Sequence, residues 1–99
     1  MTGRWTAPSW GALPRRITLY RTPGGWRHSI LTETGGRLCG GLSAVSADAS
    51  DTEARSAATT MLERLALDFH GTDVDISWHP SDAPDTCNGV VARREAHPD

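Results

Sequence analysis

The stretch from Ser50 to Gly71, SDTEARSAATTMLERLALDFHG, constrains this chain more than any other. Ser50 is a natural helix N-cap, because its hydroxyl oxygen accepts from the otherwise unpaired amide of Glu53 while the Glu53 carboxylate reaches back to the Ser50 amide. Behind that cap Ala54, Ala58, Met61, Leu62, Leu65 and Phe69 recur at steps of three and four. On a turn of about 3.6 residues they form one apolar stripe. Gly71 closes the helix, since glycine takes the left-handed conformation without a Cβ penalty. An isolated helix of this length is marginal in water, and each large apolar side chain it buries contributes roughly 1.5–3 kcal/mol. The rest of the chain must therefore supply a surface for the stripe.

That surface reads as strands. From Leu13 to Arg21, Ile17 and Leu19 alternate with Thr18 and Tyr20, and Trp26 to Glu33 is a second β-type run. Between them Thr22-Pro23-Gly24-Gly25 is turn chemistry, so the two runs form an antiparallel hairpin. Thr34-Gly35-Gly36 turns the chain into Arg37 to Leu42, where Gly40 and Gly41 mark a bulge or a close approach. Ser43 to Ala49 links this strand to the helix. After Gly71, Val74, Ile76 and Trp78 alternate with Asp73, Asp75, Ser77 and His79, and Pro80 stops that strand. Gly89 to Arg93 is a possible fifth strand, and the tail from Glu95 frays.

With 99 residues this is one α+β domain with a single two-layer core. Its expected order is β-β-β-α-β, with an optional last strand, and the helix lies on one face of an antiparallel sheet of four or five strands. Residues 1–12 form an irregular arm, 13–79 the core, and 80–99 a loop, the short strand and the tail. The expected core is Ile17, Leu19, Ala58, Met61, Leu62, Leu65, Phe69, Val74, Ile76 and Trp78. No run of about 18 apolar residues is present, and tryptophan and proline interrupt the N-terminus where a secretion signal needs a continuous apolar segment, so a cytoplasmic location is expected.

Charge is sorted along the chain. All ten basic residues are arginine; residues 1–47 carry +5 and residues 48–99 carry −7. Such asymmetry steers a partner or pairs two copies. One sheet face is left for solvent or a partner. Depending on register it carries some set of Arg16, Thr18, Tyr20, Arg27, Ser29 and the acids of the strand after the helix.

Chemistry of the catalytic kind finds little support. His28, Cys39, His70, His79, Cys87 and His97 contain no close ligand pair of the type that builds zinc sites, so no metal or cofactor is expected. The glycine pairs form no phosphate-binding loop, and no serine or cysteine sits in a nucleophile motif. Asp73, Asp75 and His79 share a strand face as a conceivable acid and base, which an ordinary polar sheet face explains equally well. In the cytoplasm Cys39 and Cys87 are expected as free thiols, a bridge remaining the alternative. Arginines interleaved with Trp5, Trp10, Tyr20 and Trp26 offer phosphate contact and base stacking, which keeps nucleic-acid binding as the alternative function.

Two strands, the glycine segment RLCGGL, then Asp51-Thr52-Glu53-Ala54 opening an alanine-rich amphipathic helix, and then a strand resemble the HicB-type antitoxin domain over roughly residues 15–79. The resemblance implies a small β-β-β-α-β module that binds and masks a partner protein without catalysis. Ser43 to Ser50 is longer than the link usual in that family, and within this chain no helix-turn-helix or ribbon-helix-helix follows. The expected function is a non-enzymatic protein-protein interaction or regulatory module, its partner a protein or a second copy of itself. Candidate partner-binding residues are Arg15, Arg16, Tyr20 and Arg27 on the strands, with Leu67 on the back of the helix as a possible dimer contact.

Overall fold

The computed structural model describes residues 12–79, 81 and 83–94. All of the N-terminal arm except Ala12, with Trp5 and Trp10, and the tail from Glu95 lie outside the described residues. Five strands, β1 (Pro14–Thr22), β2 (Gly25–Thr32), β3 (Arg37–Gly41), β4 (Val74–His79) and β5 (Thr86–Arg93), and one helix, α1 (Asp51–His70), run in the order β-β-β-α-β-β. The strands form a single antiparallel sheet ordered β3-β2-β1-β5-β4. The helix packs on β1, β4 and β5, which makes the fold an α+β two-layer sandwich. Among the described residues no helix is long and apolar enough to cross a membrane.

Both ends of α1 are set by the residues that the sequence singles out. Glu53 N donates to Ser50 Oγ at 3.1 Å and Ser50 N donates to Glu53 Oε1 at 2.8 Å, a complete capping box. At the other end Gly71 is left-handed at φ 60°; its N–H donates to Leu67 O, and Thr72 N donates to Ala66 O. These bonds satisfy carbonyls that the last turn would otherwise leave unpaired.

The stripe buries as the line Ala54, Ala58, Leu62 and Ala66, with Met61 half-buried against the core. Three of those four are alanines. Small side chains let the helix axis come close to the sheet, and the volume is filled from the strands by Ile17, Leu19, Ile30, Val74 and Val91. Leu65 lies half-buried at the margin. Phe69, expected in the core, is 54% exposed instead. It lies on the stripe's side of the helix, but in the last turn, beyond Ala66, the last buried position of α1.

The fifth strand is a larger element than the sequence suggested, and it is central. β5 starts at Thr86 and lies between β1 and β4, so the strand after the helix reaches the hairpin only through it. Its Cys87 and Val91 belong to the core, which therefore extends past residue 79. Gly89 marks the tightest packing: a Cβ there would stand 3.0 Å from two ring carbons of Trp78 and 3.1 Å from Ile17 Cγ2. The Trp78 indole lies over that glycine, half-buried, and its Nε1 donates to Thr59 Oγ1 on the helix at 3.0 Å.

The link between β3 and α1 is a structural element as well. Leu42 and Ala49 are buried, and Trp26, 2% exposed, donates from Nε1 to Ala49 O at 3.0 Å. Arg21 clamps the same region: its guanidinium lies 4.6 Å from the centre of the Trp26 ring, donates to Ala47 O at 2.8 Å and pairs with Asp85 at 3.0 Å. The glycine pair in β3 marks a close approach and no bulge. The β2-β3 register runs unbroken, and a Cβ on Gly40 would stand 3.2 Å from His28 Nε2.

Candidate functional site

Strand alternation and the observed register decide which side chains share the face away from the helix. Ile17 pairs with Ile30 and with Gly89, and Leu19 pairs with His28 and Cys87, so those positions face the helix. The intervening residues face out, and they align in rows across the sheet. One row reads Arg37, Leu31, Arg16, Val90, Ser77 from β3 to β4. The next reads Cys39, Ser29, Thr18, Asn88, His79, and a third Gly41, Arg27, Tyr20, Thr86.

The face is basic. Arg16, Arg27 and Arg37 are all exposed, and among the described residues β1, β2, β3 and β5 place no carboxylate beside them. Arg37 Nη1 donates to Ser29 Oγ at 2.8 Å, and Thr18 Oγ1 donates to Asn88 Oδ1 at 3.1 Å. The ion pairs among the described residues lie elsewhere: Arg21 with Asp85, Arg93 with Glu33, and Arg94 with Asp75. Asp75 stands on the edge strand, and the hydrogen bond from Arg94 holds its carboxyl below the ordinary value. Leu31 and Val90 flank Arg16 in one row; Val90 is 39% exposed and Leu31 half-buried. The opposite surface, the outside of α1, carries Glu63, Arg64 and Asp68 exposed beside Leu67, with Glu53 exposed in the first turn. The charge asymmetry of the linear sequence thus becomes in part a difference between the two layers.

Of the residues expected to meet a partner, Arg16, Tyr20 and Arg27 come together on this face. Arg15 is the extra residue of a bulge: the register passes from Pro14 opposite Thr32 directly to Arg16 opposite Leu31, and Arg15 stands exposed and unpaired in the ladder. Leu67 lies in the other layer, 57% exposed, beside an open cleft of about 330 Å³ that Glu63, Arg64, Asp73 and Arg94 also line. Charges of both signs face that cleft, and Thr60 adds a hydroxyl to its lining. Of Leu31, Arg37, Asn88 and Val90, only Arg37 stood out from sequence, among the arginines of the nucleic-acid alternative, and none as a protein contact. The first two were within reach: once Trp26, His28 and Ile30 are assigned to the core side, Leu31 must point out, and the β2-β3 turn brings Arg37 opposite it.

Asp75 and His79 share the outer face of β4, whereas Asp73 precedes the strand, and Asp75 is tied to Arg94. Cys39 is exposed on the outer face and Cys87 buried on the inner one, so the two thiols are separated by the sheet and are free. Burial pushes the Cys87 thiol up, although Arg55 Nη1 lies 3.8 Å from its sulfur. His28 is half-buried on the core side with its Nδ1 lacking a hydrogen-bond partner among the described residues; burial, then the Arg27 charge, hold it below its ordinary value. Among the described residues no group of three or more His, Cys, Asp or Glu is arranged to hold a metal ion. No family model, curated protein or solved structure matches this chain.

Proposed function

We propose that this chain is a small non-enzymatic binding module that acts by contact with another protein, of the kind the HicB-type resemblance implies, and that the outer face of its sheet makes that contact. A cytoplasmic location belongs to the same reading. The observation that carries it is the face itself: five strands wide, crossed by no described element, and holding Arg16, Arg27 and Arg37 on β1 to β3 while Asp75 stands at the far edge on β4, held by Arg94. An antiparallel sheet with one solvated face usually carries mixed polar residues there. Three like charges beside a half-buried leucine and an exposed valine are a costlier arrangement, since like charges repel and exposed hydrocarbon gains nothing from water.

Nucleic-acid binding draws on the same arginines and on Tyr20. Its aromatic support is thinner than the sequence pattern indicated, because the Trp26 ring is buried and its N–H is committed to Ala49. Single-strand binding depends on several stacking platforms, so a protein partner fits this face better.

Capture from an extract of the native host tests the reading, using the wild-type chain, a sheet variant with Arg16→Glu and Arg37→Glu, and a helix variant with Leu67→Glu. Sheet-face binding predicts that a specific protein is retained by the wild type and by Leu67→Glu, survives nuclease treatment, and is lost from the sheet variant. Retention by the sheet variant with loss from Leu67→Glu would move the contact to the helix. Light scattering on the purified chain identifies the case in which that partner is a second copy.

A further inference from the structure

We infer that the partner presents an acidic protein surface with an apolar side chain that seats on Leu31, while carboxylates on either side of it meet Arg37 and Arg16 and a further one reaches Arg27. This rests on the sheet-face reading above and names the partner's chemistry. The row Arg37, Leu31, Arg16, Val90 alternates charge and hydrocarbon across four neighbouring strands. With strands about 4.8 Å apart, Arg37 and Arg16 stand about 10 Å from each other with Leu31 between them. Arg27 lies four residues along β2 from Leu31, about 13 Å away on the same face. Arg37 and Arg16 therefore stand on either side of Leu31, Arg16 separates Leu31 from Val90, and Arg27 lies beyond Ser29 on β2.

Charge complementarity selects the occupant. Among the described residues no carboxylate of β1, β2, β3 or β5 faces these arginines, and Asp75 on β4 is held by Arg94, so an acidic surface is the complement this face lacks. Arginine matches a carboxylate with two parallel hydrogen bonds, and a ring of such pairs around a desolvated apolar anchor is how interfaces concentrate their energy. A nucleic acid supplies the negative charge but has no apolar side chain for Leu31, and finds only the Tyr20 ring and the edge-strand His79 imidazole on the three rows. A basic protein would meet like charge. The face is about 20 Å by about 20 Å, so the contact falls at the small end of protein interfaces and is expected to be reversible and salt-sensitive.

Panning a random dodecapeptide display library on the folded full chain tests the inference, with one enriched peptide then synthesised and its affinity measured for each variant. The expected peptides carry Asp or Glu on both sides of a central Leu, Ile or Phe. Affinity is expected to fall about tenfold or more for Arg16→Glu with Arg37→Glu, to fall severalfold for Leu31→Ser, and to weaken as salt is raised. Arg16→Ala with Arg37→Ala serves where the charge reversal lowers the thermal midpoint. Neutral or basic enriched peptides, no enrichment, binding unchanged in the arginine variants, or tighter binding of an oligouridine than of any peptide would each overturn the acidic partner. Those results leave the sheet-face reading standing if extract capture still depends on Arg16 and Arg37, whereas capture that depends on Leu67 alone removes the reading itself.

Discussion

Replacing Gly89 by alanine is the sharpest test of how the two layers fit. The new methyl carbon would stand 3.0 Å from Trp78 Cε3 and Cζ3 and 3.1 Å from Ile17 Cγ2, inside the range that carbon atoms accept. Ile17 is buried on a central strand and has no room to retreat, whereas Trp78 lies half-buried on the edge strand and can shift. Overpacking of this kind costs about 1–3 kcal/mol. Alanine in a strand recovers roughly 0.5–1 kcal/mol of the conformational penalty that glycine carries. The net expectation is a loss of up to about 2.5 kcal/mol, with about 1 kcal/mol at the centre of the range, which for a domain of this size lowers the thermal midpoint by roughly 4–8 °C. Urea denaturation of the wild type, Gly89→Ala, Trp78→Leu and the double variant gives the cycle. If the ring is the obstacle, Gly89→Ala costs at least about 0.5 kcal/mol less in the Trp78→Leu background, with m-values unchanged. Gly89→Ala that stabilises the wild type, or that costs the same in both backgrounds, would refute the packing of the indole on the glycine.

Ser50→Ala removes one arm of the capping box and is expected to cost about 1 kcal/mol, read as a lower urea midpoint; an unchanged midpoint would mean that the helix start is held by other contacts. His28 is held below its ordinary value of 6.5, so between 6.5 and its folded value the unfolded chain binds more protons. Stability is then full above that window and is lost as pH falls through it, a slope that His28→Asn should flatten in thermal melts across the same range. Thiol labelling of the native chain at mildly alkaline pH should modify Cys39 rapidly and Cys87 only on unfolding, because Cys87 is buried and its thiol pKa is raised. Equal labelling rates would place Cys87 at the surface.

How much could be read beforehand differs by element. The helix was legible to the residue, since a capping box and a left-handed glycine are local devices whose hydrogen bonds need only neighbours in sequence. The hairpins were legible for the same reason: Pro23, Gly24 and Gly35 carry their own turn chemistry. β5 was half-hidden because Asn88 and Gly89 are poor strand formers and Pro84 and Asp85 precede its start, and what makes the segment a strand is pairing on both sides with β1 and β4. Phe69 fits the helical period and yet lies exposed, because periodicity states direction around the axis and not where along the axis the packing ends.

The outer face shows why the candidate site was the least legible part. Its members come from five strands, and no two adjacent members of a row are neighbours in sequence; Arg16 meets Leu31 and Val90 only through register. A one-residue slip of β2 would turn Arg27, Ser29 and Leu31 inward and bring Trp26, His28 and Ile30 out, so the same sequence with another register has a different surface. What prevents the slip is the core: Trp26 is bonded to Ala49 and stacked by Arg21, and Ile30 is fully buried opposite Ile17. Those contacts fix the register, and the register sets Leu31 between Arg37 and Arg16. Packing on the helix side thus determines the arrangement on the binding side, and a core substitution that loosens Trp26 is expected to damage binding without touching any residue of the face.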